Sequence, residues 1–274
     1  MRLLKIISLS ITTLFLCQPL LAQERVWRVG IHAGTGYYQL YNKNDWNADP
    51  LTIYPVKSQP TNWTIGATTT YTWGQHWGLS SGLLISNNKQ EFRALTSPLV
   101  PDPNESYSIK NEFNYLKLPL IFHFSTDNQA KHQFRFSTGI QTSFLMNYTE
   151  RFLQTRTGFR SESETRNKKV TGLTPNNGNA TYNEFLYNRL LIGSFAELSY
   201  CFKTSENWLL AFGIRGEYDF TNAENHDARV VENGLLKWVS SLKRTVDNNI
   251  ADRPKTLNRS VGFFLSASIP VDIH

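Results

Sequence analysis

The chain has 274 residues, 40% hydrophobic, 13% aromatic and 18% charged, with a formal net charge of +6. That aromatic content excludes disorder, and charge without Lys/Arg blocks leaves no nucleic-acid footprint. The two cysteines, Cys17 and Cys201, exclude a disulfide framework and a CxxC zinc site.

The first 22 residues read as a signal peptide. Arg2 and Lys5 form a positive n-region, residues 6–16 (IISLSITTLFL) a short apolar h-region, and Leu20-Leu21-Ala22 a cleavage site ahead of Gln23. The apolar run falls well short of the roughly 20 residues a spanning helix needs. Export of a domain over residues 23–274 is therefore expected, with Cys201 left without an internal partner.

After Gln23, alternation with a period of two recurs eight times. In chain order the runs cover about residues 26–38, 63–73, 77–92, 113–124, 134–148, 186–202, 208–220 and 260–269. The second sets Trp63, Ile65, Ala67, Thr69, Tyr71 and Trp73 on one face. The fifth sets Phe134, Phe136, Ile140, Phe144 and Met146 against Gln133, Arg135, Ser137 and Gln141. The seventh alternates Trp208, Leu210, Phe212 and Ile214 with Ala211, Gly213, Arg215 and Glu217, and the last alternates Val261, Phe263, Leu265 and Ile269 with Ser260, Gly262, Ser266 and Ser268. Such runs exceed the roughly 5–6 residues usual in soluble sheets and suit the 9–11 residues of a tilted membrane strand.

Short links at residues 74–76, 125–131 and 203–207 alternate with long polar ones near 39–61, 93–112, 149–185 and 221–257. This pattern predicts an all-β, eight-stranded antiparallel up-and-down transmembrane β-barrel. Three short turns and both termini would be periplasmic, with four long loops external. Trp27, Trp73, Trp77, Phe124, Phe134, Phe202 and Trp208 all fall beside a short turn or the N-terminus, as a membrane girdle requires. Tyr37, Trp63, Tyr148 and Tyr218 would form a looser girdle opposite.

The second face is rich in Gly, Ser and Thr and carries a near-balanced charge set. Arg28, Lys117, Arg135, Arg189 and Arg215 would pair in the lumen with Glu197, Glu217, Asp219 and Asp272. Counting back from the turn between strands six and seven places Glu197 opposite Gly213 and diagonal to Arg215. Eight strands enclose room for side chains only, so a water-filled pore is not expected. The inverted assignment, apolar inside, would be a soluble lipocalin-like barrel.

The stretch Tyr115-Leu-Lys-Leu-Pro-Leu-Ile-Phe-His-Phe124 resembles the YLxxPLxxxx strand of PorT-like outer-membrane β-barrel proteins of Bacteroidetes. The segments VGIHAGTGYY (29–38) and SVGFFLSASIPV (260–271) are similar to that family too. The resemblance implies an outer-membrane barrel with no universal activity, some members of the family serving a protein-secretion and gliding system. Ser260, Gly262, Leu265 and Ala267 fit the closing-strand pattern read by the barrel-assembly machinery, although the chain ends in Val271-Asp-Ile-His274 without a terminal aromatic.

No GxSxG, HExxH, Walker-type or GxGxxG-plus-helix context is present, and the six histidines are scattered. No catalytic residue, cofactor or metal is expected. His123 reads as a hydrogen-bonded structural group beside Arg135, and Cys201 as a small inward filler. In the fourth long loop, Val231, Leu235, Trp238, Val239, Leu242 and Val246 are spaced as one face of a helix, interrupted by Asn233-Gly234. Two function classes stay open. One is a non-catalytic structural or interaction platform of the envelope, its lumen closed, contacting membrane lipid, lipopolysaccharide and an unidentified envelope protein. The other is a small outer-membrane transporter or lipid-modifying enzyme.

Overall fold

The computed structural model describes residues 25–42, 61–94, 106–156, 158–166, 169–173, 181–185, 187–223, 225, 230–232, 235–237 and 256–271. The expected signal peptide and Asp272 lie outside them. The described residues form thirteen strands: β1 (Arg25–Asn42), β2 (Thr61–Trp73), β3 (Trp77–Ala94), β4 (Ser106–Ser125), β5 (His132–Arg156), β6 (Phe159–Arg166), β7 (Lys169–Leu173), β8 (Thr181–Phe185), β9 (Leu190–Lys203), β10 (Leu209–Asp219), β11 (Val230–Glu232), β12 (Leu235–Lys237) and β13 (Thr256–Val271). Eight of them close a ring in the order β1-β2-β3-β4-β5-β9-β10-β13 and back to β1, every pair antiparallel. This is the expected up-and-down barrel. The other strands are additions: β6 folds back on the far end of β5, and β7–β8 and β11–β12 are separate two-stranded pairs.

The alternation decides which way each side chain points. Val29, Ile31, Leu79, Leu83, Phe136, Ile140, Leu198, Phe212, Ile214, Phe263 and Leu265 all stand exposed on the outside. Buried inside are Ser80, Ser86, Lys117, His123, Gln141, Ser143, Glu197, Ser199 and Arg215. An exterior so apolar greatly exceeds the few hundred Å² a soluble monomer tolerates, so these rows need a non-aqueous surround. The lipocalin-like alternative would place the two faces the other way round. No helix among the described residues is long and apolar enough to cross a membrane; the crossing elements are strands.

Two local devices make the wall fit. Pro119 lacks an N–H, and the β3–β4 ladder skips the pairs around it, running from Ser81↔Leu120 to Leu84↔Lys117. Ser81 Oγ on the outer face donates to the Pro119 carbonyl at 3.0 Å, so neither hydroxyl nor carbonyl is left to hydrocarbon. Gly36 and Gly262 face each other across β1 and β13, and a Cβ on either would overlap the other's backbone.

The structure corrects four readings. First, strands run further than the alternation indicated: β1 continues to Asn42, β4 starts at Ser106 and β5 reaches Arg156 before β6 returns. Above the apolar band the outer face of β3–β5 turns largely polar, so the contrast that marks a strand fades while backbone pairing persists. Second, β5 carries a bulge at Met146: Asn114 pairs with Asn147, yet Tyr115 pairs with Leu145. The extra residue reverses the alternation, and Tyr148, expected outside, is buried within. Third, the turn after β9 is Thr204–Trp208, closed by Lys203↔Leu209, one residue further along than expected. Asn207 takes a positive φ of 63° there. Glu197 consequently lies directly opposite Arg215, and Ser199 faces Gly213. Fourth, Val231 and Leu235, assigned to a helical face, belong to paired strands β11 and β12, separated by Asn233-Gly234, a strong hairpin dipeptide. The rest of that face lies outside the described residues.

Candidate functional site

The lumen is built in two layers. In the ionic layer, Arg215 of β10 is the hub. Its guanidinium donates to Glu197 on β9, to Glu217 Oε1 at 2.7 Å and to Gln141 Oε1 of β5 at 2.9 Å. Its plane also lies over the Phe195 ring, 3.8 Å from the centroid. Lys117 crosses from β4 to give Glu217 Oε2 a second ion pair at 2.6 Å, and Ser260 donates to the same oxygen at 3.2 Å. All are buried or nearly so; Glu217 has two cations and the Ser260 hydroxyl to offset its lost hydration, and Glu197 has Arg215. Cavities of about 10 Å³ and 20 Å³ flank Glu217; the smaller has about the room of one water. The orphaned Asn88 Oδ1 and Ser143 Oγ belong to residues on its wall.

The second layer is aromatic and was not foreseen. Towards the long loops, Tyr38, Leu40, Phe113, Tyr115, Leu145, Tyr148, Tyr187, Leu191 and Ala223 form one buried cluster. Phe113 and Tyr187 meet edge to face at 4.8 Å, as do Tyr148 and Tyr187 at 4.9 Å. The cluster is tied to the ionic layer by Asn258, which accepts from the Tyr38 hydroxyl at 2.6 Å and donates to Asp219 Oδ2 at 2.9 Å. Its signal in the sequence was obscured because Tyr148 enters through the bulge and Tyr187 precedes the regular part of β9.

At the short-turn end of the lumen, His123 sits between two hydroxyls, Ser80 Oγ at 2.5 Å and Ser137 Oγ at 2.7 Å. Arg135 Nε donates to Ser125 Oγ at 3.1 Å, and an Arg28 N–H donates to the carbonyl of Asn207, capping the turn at 2.9 Å. Arg28 and Arg135 thus bond to a turn carbonyl and a serine rather than to the carboxylates gathered at Arg215. Arg189 departs from the lumen set altogether: it is exposed just ahead of β9, where its carbonyl accepts from Leu145 N. Asp272 lies outside the described residues. Cys201 is free and buried, and no metal-binding cluster occurs among the described residues.

The girdle residues occupy the outer face at the short-turn end. Trp27, Trp77, Phe124, Phe134 and Trp208 are exposed, Trp73 and Phe202 partly so. They form contacting pairs: Trp77 with Phe124 at 4.9 Å, Trp27 with Tyr71 at 4.8 Å, and Phe134 with Tyr200 at 5.6 Å. At the opposite end Tyr37, Trp63, Tyr218 and Phe220 are exposed on β1, β2 and the β10 end, and Arg259 lies 3.8 Å from the centroid of the Tyr41 ring.

On the β3–β4–β5 side that second end is different. Past the apolar row Ile85–Leu116–Phe144 comes an amide ladder, in which Asn87 donates to Asn114 at 2.7 Å and Asn114 to Asn147 at 2.6 Å. Directly beyond it the outer face carries two polar and charged rows: Lys89–Glu112–Thr149–Arg166, then Glu91–Lys110–Arg151–Glu164. A hydrogen bond from Arg166, with Arg151 behind it, holds the exposed Glu164 carboxyl below the usual carboxylate range.

No curated protein matches the sequence. Among solved structures, OprG of Pseudomonas aeruginosa is 10% identical, with 91% of this chain and 97% of that chain covered and a TM-score of 0.39. Neisserial surface protein A is 7% identical, with 89% and 97% covered and a TM-score of 0.36. Ail of Yersinia pestis is 8% identical, with 88% and 97% covered and a TM-score of 0.35. The family model described as outer membrane protein beta-barrel domain matches residues 21–224. With its closed strand ring, apolar exterior and ionic interior, the chain belongs to this outer-membrane β-barrel family.

Proposed function

We propose that this protein is a non-catalytic interaction platform of the outer membrane, anchored by a sealed barrel and acting through the surfaces at its ends. The observation that carries the reading is the doubly filled lumen. A cross-braced ionic layer and an aromatic layer lie in series, and a pathway through the barrel would have to break both. The outward hydroxyls favour the same reading over a lipid-modifying enzyme. Ser81 and Thr138, the latter at 3.1 Å from the Phe195 carbonyl, spend their protons on the wall's own backbone. In this reading the cleaved signal peptide exports the chain, the barrel-assembly machinery inserts it, and both termini and the short turns stay periplasmic. The long strands β3, β4 and β5, with β6 folded on the end of β5, carry the interaction surface outward. The resemblance of Tyr115–Phe124 to the PorT-like strand supports a secretion or gliding assembly as the kind of envelope partner.

Planar-bilayer recording of the purified protein tests this. Insertion without a steady single-channel current is expected; a reproducible conductance step would turn the assignment to a transporter.

A further inference from the structure

The outer rim of the barrel is asymmetric. On β1, β2 and β10 the apolar band ends in aromatic side chains, the ordinary interfacial device. On β3, β4 and β5 it ends in the Asn87–Asn114–Asn147 ladder, and a groove of about 270 Å³ lies directly beyond, lined chiefly by Thr61, Lys89, Glu91, Lys110, Glu112 and Arg151. We propose that this groove binds the phosphorylated saccharide headgroup of an outer-leaflet glycolipid whose acyl chains lie on the apolar rows below. The inference deepens the platform reading and rests on its orientation, long loops outward.

Three features carry it. The first is continuity. Groove and apolar rows share one face of the same strands, so a ligand touching both is an amphiphile. Rows on a face are about 6.8 Å apart along a strand, which for strands tilted ~40° places the first charged row roughly 10 Å above Ile85, at headgroup depth.

The second is a like-charge contact within the groove. Lys110 lies directly opposite Arg151 in the β4–β5 register, a pairing that sheets disfavour, with a carboxylate only on the far side of each, Glu91 at 3.8 Å and Glu164 at 2.8 Å. A phosphate seated between the two would reverse the sign of that interaction and gain charge-assisted hydrogen bonds.

The third is that the groove's carboxylates are satisfied without its lysines. Glu112 accepts from Asn87 Nδ2 at 2.6 Å and Glu91 from Ser108 Oγ at 2.8 Å. Lys89 and Lys110 reach them only at 3.5 Å and 3.8 Å, and both lysine side chains are about half exposed. The ammonium groups can therefore turn to a phosphate, while the carboxylates and Thr61 are placed to hold sugar hydroxyls.

The test uses the mature protein, folded in detergent and examined by native mass spectrometry with diphosphoryl lipid A, dephosphorylated lipid A or inorganic phosphate as the probe. Parent protein is expected to retain one diphosphoryl lipid A. K110Q/R151Q should lose at least tenfold in retention, whereas Lys110→Arg, and Lys131→Gln at the other end of the barrel, should keep it. A urea midpoint measured without lipid serves as the folding control and as a second readout. K110Q/R151Q should be about as stable as the parent, because the removed repulsion offsets the loss of the exposed Arg151–Glu164 ion pair. Equal retention by K110Q/R151Q, equal retention of the dephosphorylated lipid, or displacement by millimolar inorganic phosphate would each overturn the proposal. Because this assay involves neither orientation nor conductance, its failure is distinguishable from failure of the platform reading.

Discussion

Replacing Arg215 by Met removes the hub of the ionic layer while keeping most of its volume. The structure says what is left behind. Glu217 retains Lys117 at 2.6 Å and Ser260, so it stays compensated. Glu197, buried and bonded to Arg215, loses its cation, and Gln141 Oε1 loses its donor. One uncompensated buried carboxylate costs about 3–5 kcal/mol. Glu197→Gln is milder, because an amide oxygen still accepts from Arg215 and Glu217 still neutralises it. A loss of about 1–2 kcal/mol is expected there. The double variant should regain roughly 1–3 kcal/mol of the summed losses, since no buried charge is then unpaired around position 215. Urea unfolding of the four proteins in lipid vesicles, followed by tryptophan fluorescence and by heat-modifiable migration, gives the coupling energy. Strictly additive losses would refute the reasoning, because they would mean that Arg215 and Glu197 do not meet.

Other outcomes follow from the same geometry. Phe212→Arg, on the lipid-facing row beside Phe263, should cost about 2–4 kcal/mol and impair insertion, as measured by the folded fraction on unheated gels. Gly262→Leu should prevent closure between β1 and β13, seen as loss of the heat-modifiable band, because Gly36 leaves no space for a side chain. Tyr148→Ala should cost about 3–5 kcal/mol through the cavity left beside Phe113 and Tyr187. It should still pass no current in a planar bilayer, since the ionic layer remains shut. A conducting Tyr148→Ala barrel would show that the aromatic layer alone makes the seal.

Much of this fold was legible because a barrel in lipid imposes one contrast along every strand. Where Leu210, Phe212 and Ile214 alternate with Ala211, Gly213 and Arg215, face and strand can both be read from the residues. The reading failed where that contrast is absent or interrupted. Residues 106–112 and 149–156, Leu153 apart, are polar on the outer face, so they resembled loops although they are paired strands. Met146 is an ordinary apolar residue, and nothing local marks it as the bulge that turns Tyr148 inward. Arg189 has the alternation of a lumen residue but stands one position before β9 begins, which leaves it exposed. Arg215 and Glu197 could be paired from the sequence, but their register required knowing that the turn closes at Lys203↔Leu209. The pairing of Lys117 with Glu217 was out of reach, because Lys117 comes from a strand across the barrel.

The central claim is that the apolar face looks into lipid and the ionic face into a closed lumen. Spin labels placed singly on β10, in a Cys201→Ala background, measure this directly in lipid vesicles. Labels at Leu210, Phe212 and Ile214 should be relaxed strongly by oxygen, which partitions into the bilayer, and weakly by a water-soluble nickel chelate. Labels at Ala211 and at Ser199 of the neighbouring strand should be protected from both. Oxygen contact at 211 and 199 with protection at 210, 212 and 214 would invert the barrel and contradict the account.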